Sequence, residues 1–518
     1  MMRRGDRSLS LWRLLFLIAG LTIATSSTIY AVGQHRKELS ATSSAPWFAS
    51  YVDVTATPTY SFDLLGSGTS HRDAVLSFIV ASSADSCTPS WGSAYTLDQA
   101  GNALDLDRRI ARLKQQGGHV AVSFGGQRNH EIAVNCTDAD KLYNAYSAVV
   151  KRYDITTIDL DIEGPDLTNT AAAARRATAL AKLQLDRRHA GKKLAIWLTL
   201  PVIPQGMTAE GTEAVSQLLT KKVDLAGLNV MTMDYGQSKP NGQSMQAASE
   251  TALTESVRQL GILYQSAGIH LNTASVWSKI GATPMAGQND VQKEIFTLDD
   301  ARGFNQFVRK HGAGRMSMWS ANRDRTCGSN YVDVTTASDS CSGVQQGSSS
   351  FAELLASGFD GNLNLSAGIV TKADKVSVAL KDDDPAASPY QVWTVSGTYL
   401  QGTKVVWHHS VYQAKYYTQG DTPDNPVLQT YQTPWELVGP VLPGEKPIKQ
   451  ATLPEGTYPD WTGTTIYDAD QRVLFNGVPY LAKWYNVAQS PAAASSNPTG
   501  SPWKALSQAQ INDIVKSN

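Results

Sequence analysis

Eight short apolar stretches, each followed by a longer helical one, run from Trp47 to about Leu355, and this alternation limits the fold more than any other feature. The strand candidates are Trp47–Val54, Ala74–Val80, His119–Phe124, Thr157–Ile162, Leu194–Leu200, Leu225–Met231, Lys279–Met285 and Arg315–Trp319. Amphipathic stretches such as Leu104–Gln116, Asp138–Arg152 and Thr170–Ala190 lie between them. Strand–helix alternation predicts parallel strands joined by crossovers. Eight such units predict an α/β domain over residues 46–360, a closed (β/α)8 TIM barrel. A doubly wound open sheet would carry a glycine-rich phosphate loop after its first strand, and none follows Val54.

A chain of 518 residues is too long for one core. Residues 361–388, with Lys381-Asp-Asp-Asp-Pro-Ala-Ala-Ser388, read as a polar linker. Beyond it the sequence repeats at a constant offset of 68: Trp393 recurs as Trp461, Tyr399 as Tyr467, Tyr412 as Tyr480 and Pro434-Trp435 as Pro502-Trp503. Two copies of one small module are expected, at 389–440 and 457–507. Their turn-rich, aromatic composition predicts small all-β units.

The N-terminus pairs a basic head with an apolar core at Leu14–Ala24. That length fits a signal peptide over 1–32, while a spanning helix needs about 20 residues. The expectation is a secreted protein, extracellular or periplasmic; an uncleaved segment would instead anchor it in a membrane. Lys plus Arg is 45 and Asp plus Glu is 46, so no global field favours nucleic acid. The four cysteines allow three pairings. None forms a close Cys-x-x-Cys pair, which argues against zinc, and export favours disulfides. Cys87–Cys136 and Cys327–Cys341 are the favoured pairs, each closing a loop, with free buried thiols as the alternative. Only His408-His409 are adjacent histidines, and on a strand their side chains point opposite ways, so no metal site is expected. Nothing in the sequence calls for a cofactor.

The chemistry concentrates in Thr157-Ile-Asp-Leu-Asp-Ile-Glu-Gly-Pro165. Asp159, Asp161 and Glu163 fall at i, i+2 and i+4, on one side of a strand, with Ile158, Leu160 and Ile162 on the other. Barrel interiors are normally apolar, so three acids there are expensive unless paired or protonated. Gly164-Pro165 ends the strand and leaves Glu163 at the C-terminal mouth, where barrel active sites lie. Close carboxylates share protons, which raises at least one of them into the range of a general acid near neutral pH. An exposed edge strand with its acids in water is the bland alternative.

This stretch resembles the Asp-x-Asp-x-Glu signature of glycoside hydrolase family 18 chitinases. Ser123-Phe-Gly-Gly126 resembles that family's Ser-x-Gly-Gly motif, and Met231-Thr-Met-Asp-Tyr-Gly236 its sixth-strand cluster. Trp319 falls where the family places a tryptophan beneath the reacting sugar. Pro284-Met-Ala-Gly-Gln-Asn-Asp290 is similar to a seventh-strand loop of a bacterial branch. One position departs: Thr156 stands where the longer signature has its first Asp, expected deepest in the barrel. The resemblance implies a retaining, substrate-assisted mechanism. Glu163 would be acid and base, Asp161 would hold the acetamido N–H, Asp159 would hold Asp161 through a shared proton, and Tyr235 would bond the acetamido oxygen. Asp234 shares or replaces that last role, since the Met-Asp-Tyr alignment is ambiguous by one residue. Met233, Gln288, Ser123, Gly125, Gly126 and Trp319 complete the expected substrate site. Bland readings remain for several: Tyr235 or Trp319 as packing, Asp234 as a helix cap, Ser123–Gly126 and Gln288 as turns.

Tyr412-Gln-Ala-Lys-Tyr-Tyr417 and Tyr480-Leu-Ala-Lys-Trp-Tyr485 resemble small chitin-binding modules of the family 5/12 type. Flat aromatic faces stack on sugar C–H surfaces, which makes Tyr416, Trp435, Trp484 and Trp503 the candidates. One aromatic of each adjacent pair is expected in the core. The implied partners are chitin and chito-oligosaccharides, bound by a monomer. Two other functions fit parts of the pattern: a non-catalytic chitin-binding adhesin or lectin, and an endo-β-N-acetylglucosaminidase acting on N-glycans.

Overall fold

The computed structural model describes residues 45–65, 71–84, 86–331, 333–374, 382–447 and 450–517. The proposed leader at 1–32 lies outside them. Among the described residues, no helix is long and apolar enough to cross a membrane. The chain divides into two compact units, 1–375 and 376–518.

The first unit is a closed barrel. Its parallel strands are β1 (Trp47–Asp53), β2 (Asp73–Ala81), β3 (Val120–Gly125), β4 (Thr157–Asp161), β5 (Ala195–Ile203), β6 (Leu225–Met231), β7 (Ile280–Thr283) and β8 (Arg315–Met316). Each pairs with the next, and β8 closes on β1 through Trp47 opposite Arg315. All eight expected strands form. The surrounding helices include α1 (Leu106–Gln115), α2 (Ala139–Arg152), α3 (Thr170–His189), α4 (Ala209–Thr220), α5 (Met245–Ser266) and α6 (Leu298–His311). Each buries one stripe, as Leu106, Ile110 and Leu113 do on α1. Side-chain caps fix the starts of several: Asn169 on α3, Thr208 on α4, Ser244 on α5 and a Thr297–Asp300 capping box on α6.

The bottom of the barrel is plugged by Trp47, Ala49, Val75, Ala121, Trp197 and Leu363. Leu363 belongs to the stretch expected as linker. Its backbone N–H donates to Asp73, and Thr371 donates to Asp224. Residues 361–374 are therefore part of the barrel unit, because a buried leucine ties them to its floor. Both favoured disulfides are present, Cys87–Cys136 and Cys327–Cys341.

The second unit holds two copies of one β design. The first pairs Lys404–Trp407, Ser410–Ala414 and Trp435–Pro440 in one sheet, and Thr398–Tyr399 with Thr418–Gln419 in another. The second repeats this with Arg472–Phe475, Val478–Ala482 and Trp503–Ala505, and Ile466–Tyr467 with Asn486–Val487. A helix, Gln508–Ser517, follows the second copy, and its Ile511 packs on Leu453, Leu474 and Leu506.

Candidate active site

β4 sets the site. Its alternation sends Ile158 and Leu160 outward and Asp159 and Asp161 into the barrel, where both are buried. Asp159 is held from four directions. Tyr51 on β1 and Ser123 on β3 each donate to its Oδ2 at 2.8 Å. Thr199 on β5 donates to Oδ1 at 2.7 Å, and the Arg315 guanidinium on β8 reaches the same oxygen at 2.6 Å. Arg315 also donates to Tyr51 Oη, and Asn229 on β6 ties Tyr51, Thr199 and Thr283 together. One layer of the barrel interior is thus a polar network around a single carboxylate, neutralised by a buried arginine.

Asp159 spends its oxygens on these donors, and no hydrogen bond joins it to Asp161 among the described residues, unlike the shared proton expected between them. Asp161 Oδ1 is buried without a partner among the described residues. Burial, then the neighbouring charges of Glu163 and Asp159, push the Asp161 carboxyl well above the usual range. Glu163 lies two residues on, with Gly164 at φ 53° turning the chain into Pro165. Burial foremost, then Asp234, Asp166 and Asp290, raise Glu163 to about 7.

Thr156 is not the deepest group. It precedes β4 on the opposite phase from the acids, and its hydroxyl donates to Asn364 at 2.6 Å. The deep position opposite Asp159 belongs to Arg315.

A cleft of about 440 Å³ opens above this layer, lined by Tyr51, Asp161, Glu163, Met233, Asp234 and Trp319 among others. Phe78 and Trp319 stack at 5.5 Å with planes 23° apart, and Tyr51 meets Trp319 edge-on at 6.1 Å. These three rings make an aromatic floor. Sequence reasoning found Trp319 and missed Phe78 and Tyr51. The Ser123–Gly126 segment is a close approach rather than a contact surface. A Cβ on Gly125 would meet the Asp161 carbonyl oxygen at 2.0 Å, and one on Gly126 the Phe78 ring at 2.8 Å. Ser123 reaches Asp159 and Gly125 lines the cleft.

Two expected substrate contacts lie elsewhere. Tyr235 is buried with its hydroxyl 3.3 Å from Ser249 on α5, so it does not line the cleft. Asp234 does, with Oδ1 accepting from Val291 N–H and with its carboxyl raised, chiefly by burial. Gln288 is buried with its amide on the backbone carbonyls of Asn289 and Gln292, a loop former as the bland reading had it. Glu294, which no motif flagged, holds the Asp234 loop by accepting the N–H groups of Tyr235 and Gly236 at 2.8 and 3.0 Å.

In the modules, Trp435 and Trp503 are core: each is buried against a tyrosine and donates its indole N–H to a backbone carbonyl. They have no face left for a sugar. Tyr416 and Trp484 are 49% and 42% exposed. Tyr417 and Tyr485 are exposed as well, because both pairs sit in bends after Ala414 and Ala482, where strand alternation no longer applies. His408 and His409 also lie in a turn, with positive φ, and pair with Asp424 and Asp383. Among the described residues no cluster suits a metal ion.

Residues 72–285 match the family model Glycosyl hydrolases family 18. A probable bifunctional chitinase/lysozyme of Escherichia coli is 35% identical over 290 residues, covering 55% of this chain and 31% of that protein. Endochitinase 11 of Metarhizium anisopliae is 34% identical over 284 residues, 54% of this chain and 52% of that protein. The chain thus spans about half or less of the curated relatives it matches. The catalytic domain of a hyperthermophilic chitinase from Pyrococcus furiosus superposes with a TM-score of 0.52 at 24% identity, over 63% of this chain and 99% of that one, a likeness of fold. The matched stretch, residues 72–285, holds the carboxylate row at the barrel's mouth.

Proposed function

We propose that the protein is an exported chitinase that hydrolyses β-1,4-linked N-acetylglucosamine with retention. One observation carries the reading: a carboxyl raised to about 7, Glu163, stands at the mouth of a closed barrel beside a second acid, Asp161, that lines the same cleft. The similar proteins named as chitinases support the substrate class.

Glu163 donates its proton to the glycosidic oxygen as the bond to C1 breaks. The acetamido oxygen of the same sugar attacks C1 and closes an oxazolinium ring, with Asp161 accepting the acetamido N–H and countering the developing charge. Asp234 holds the acetamido oxygen in place of Tyr235, and a protonated Asp234 can donate to it. Glu163 then takes a proton from water, which opens the ring and restores the acid. Trp319, backed by Phe78, carries the apolar sugar face. The exposed aromatics Tyr416, Tyr417, Trp484 and Tyr485 stack on insoluble chitin, and the N-terminal segment directs export.

Glu163→Gln tests this. Hydrolysis of chitin and chito-oligosaccharides is expected to fall by about 10²–10⁴-fold, the usual worth of a general acid, while the variant still sediments with chitin. Wild-type protein that binds chitin without cleaving it would make the chain a lectin. Cleavage of glycoprotein N-glycans with chitin untouched would make it an endoglycosidase.

A further inference from the structure

We infer that Arg128 and Asp339 form a clasp across the mouth of the barrel, which opens to admit a β-1,4-N-acetylglucosamine polymer from the side and slows its escape once seated; this rests on the chitinase reading above. Arg128 belongs to the loop after β3 and Asp339 to the long loop after β8. In the closed ring β8 and β3 are separated by β1 and β2, so a contact between their loops bridges the C-terminal ends of those two strands. The guanidinium and carboxylate meet at 3.4 Å, and both residues line the cleft that holds Glu163, Asp161 and Trp319.

Both arms are built to hold these side chains in place. Around Asp339, Arg323 donates to the carbonyl of Ser338, Arg325 to that of Ser340, and Cys341 is bonded to Cys327. Arg323 is itself buried and also donates to the carbonyls of Ala286 and Gln288, so the arm is pinned to the loop after β7. Around Arg128, the Gly126 N–H donates to the Asp161 carbonyl and the Glu131 N–H to Asp166. The backbone is anchored while the two charged ends are 84% and 70% exposed. A pair so exposed favours the closed over the open form by no more than a few-fold and weakens with salt. That suits a clasp that must let a polymer pass and does not suit a fixed roof.

The test uses the full chain carrying Glu163→Gln, so that bound sugar is not consumed, and follows release of fluorescently labelled chitohexaose by stopped flow. Release is expected to speed up about two- to five-fold between roughly 0.01 M and 1 M salt. Adding Asp339→Ala should give the fast rate at low salt and flatten the salt response. The reversed pair, Arg128→Asp with Asp339→Arg, should restore slow, salt-sensitive release, which separates the charge contact from any loosening of the loop. Release that is unchanged by Asp339→Ala, or not restored by the reversal, overturns the clasp. Failure of the Glu163→Gln protein to bind chitohexaose at all overturns the chitinase reading, and the clasp with it.

Discussion

Asp159 is fully buried, and Arg315 is the cation that makes this tolerable. Removing one partner of such a pair leaves a bare charge in a low-dielectric interior. Arg315→Met is expected to cost about 3–5 kcal/mol by urea denaturation, well above an ordinary core substitution. Glu163 behaves in the opposite sense. Its folded pKa of about 7 lies above the ordinary glutamate value of 4.5, so the native state binds more protons than the unfolded chain between those pH values. Ionising it in place costs stability as pH rises through that window. Glu163→Gln should therefore stabilise the protein by roughly 1–3 kcal/mol above pH 7, with no gain below about pH 4, a difference read by thermal melts at the two pH values. In the proposed mechanism the same group must be protonated to act, so kcat/KM is expected to fall tenfold per pH unit above about 7. The acid row was legible in the sequence because alternation on a strand leaves no freedom. The choice between Asp234 and Tyr235 was not. The strand ends at Met231, and Asp234 takes a left-handed φ of 52°, so counting alternate residues no longer tells which side chain faces the cleft.

At the scale of elements, the eight strands were readable as apolar runs because both their faces are covered, by the barrel interior and by the helices. The interior polar layer was harder to see. Tyr51, Thr199, Asn229, Thr283 and Arg315 each come from a different strand, and only ring closure brings them together around Asp159. Phe78 was hidden for the same reason, since its partner Trp319 lies on the far side of the chain. The module aromatics misled in the other direction: Trp435 and Trp503 follow prolines at turn-rich ends, yet a fold this small needs them as its core. The loop after β8 depends on Cys327–Cys341. Replacing both cysteines with serine removes a bridge 14 residues apart in sequence, worth about 3 kcal/mol in the chain-entropy account. The melting temperature should drop accordingly, and amide exchange should rise at 336–341.

For the whole molecule, the tandem copies each carry an exposed aromatic pair at a constant offset, which in the proposed function serves a repetitive ligand. Binding through one copy raises the local concentration of polymer at the other. Tyr416→Ala and Trp484→Ala together should reduce retention on insoluble chitin by more than the product of their separate effects with soluble ligand suggests, while turnover of soluble chito-oligosaccharides stays within about twofold of wild type. Sedimentation with chitin and a soluble-substrate assay, run side by side, check this. The division of labour leaves the chemistry to the barrel, and the claim on which everything depends is that Glu163 and Asp161 act on a sugar that supplies its own nucleophile. A proton NMR time course of product anomers from a soluble chito-oligosaccharide tests it most directly. The account predicts that the β-anomer appears first and equilibrates slowly to α, and that Glu163→Gln gives no product on the same timescale. An α-anomer appearing first, or undiminished product from Glu163→Gln, would contradict it.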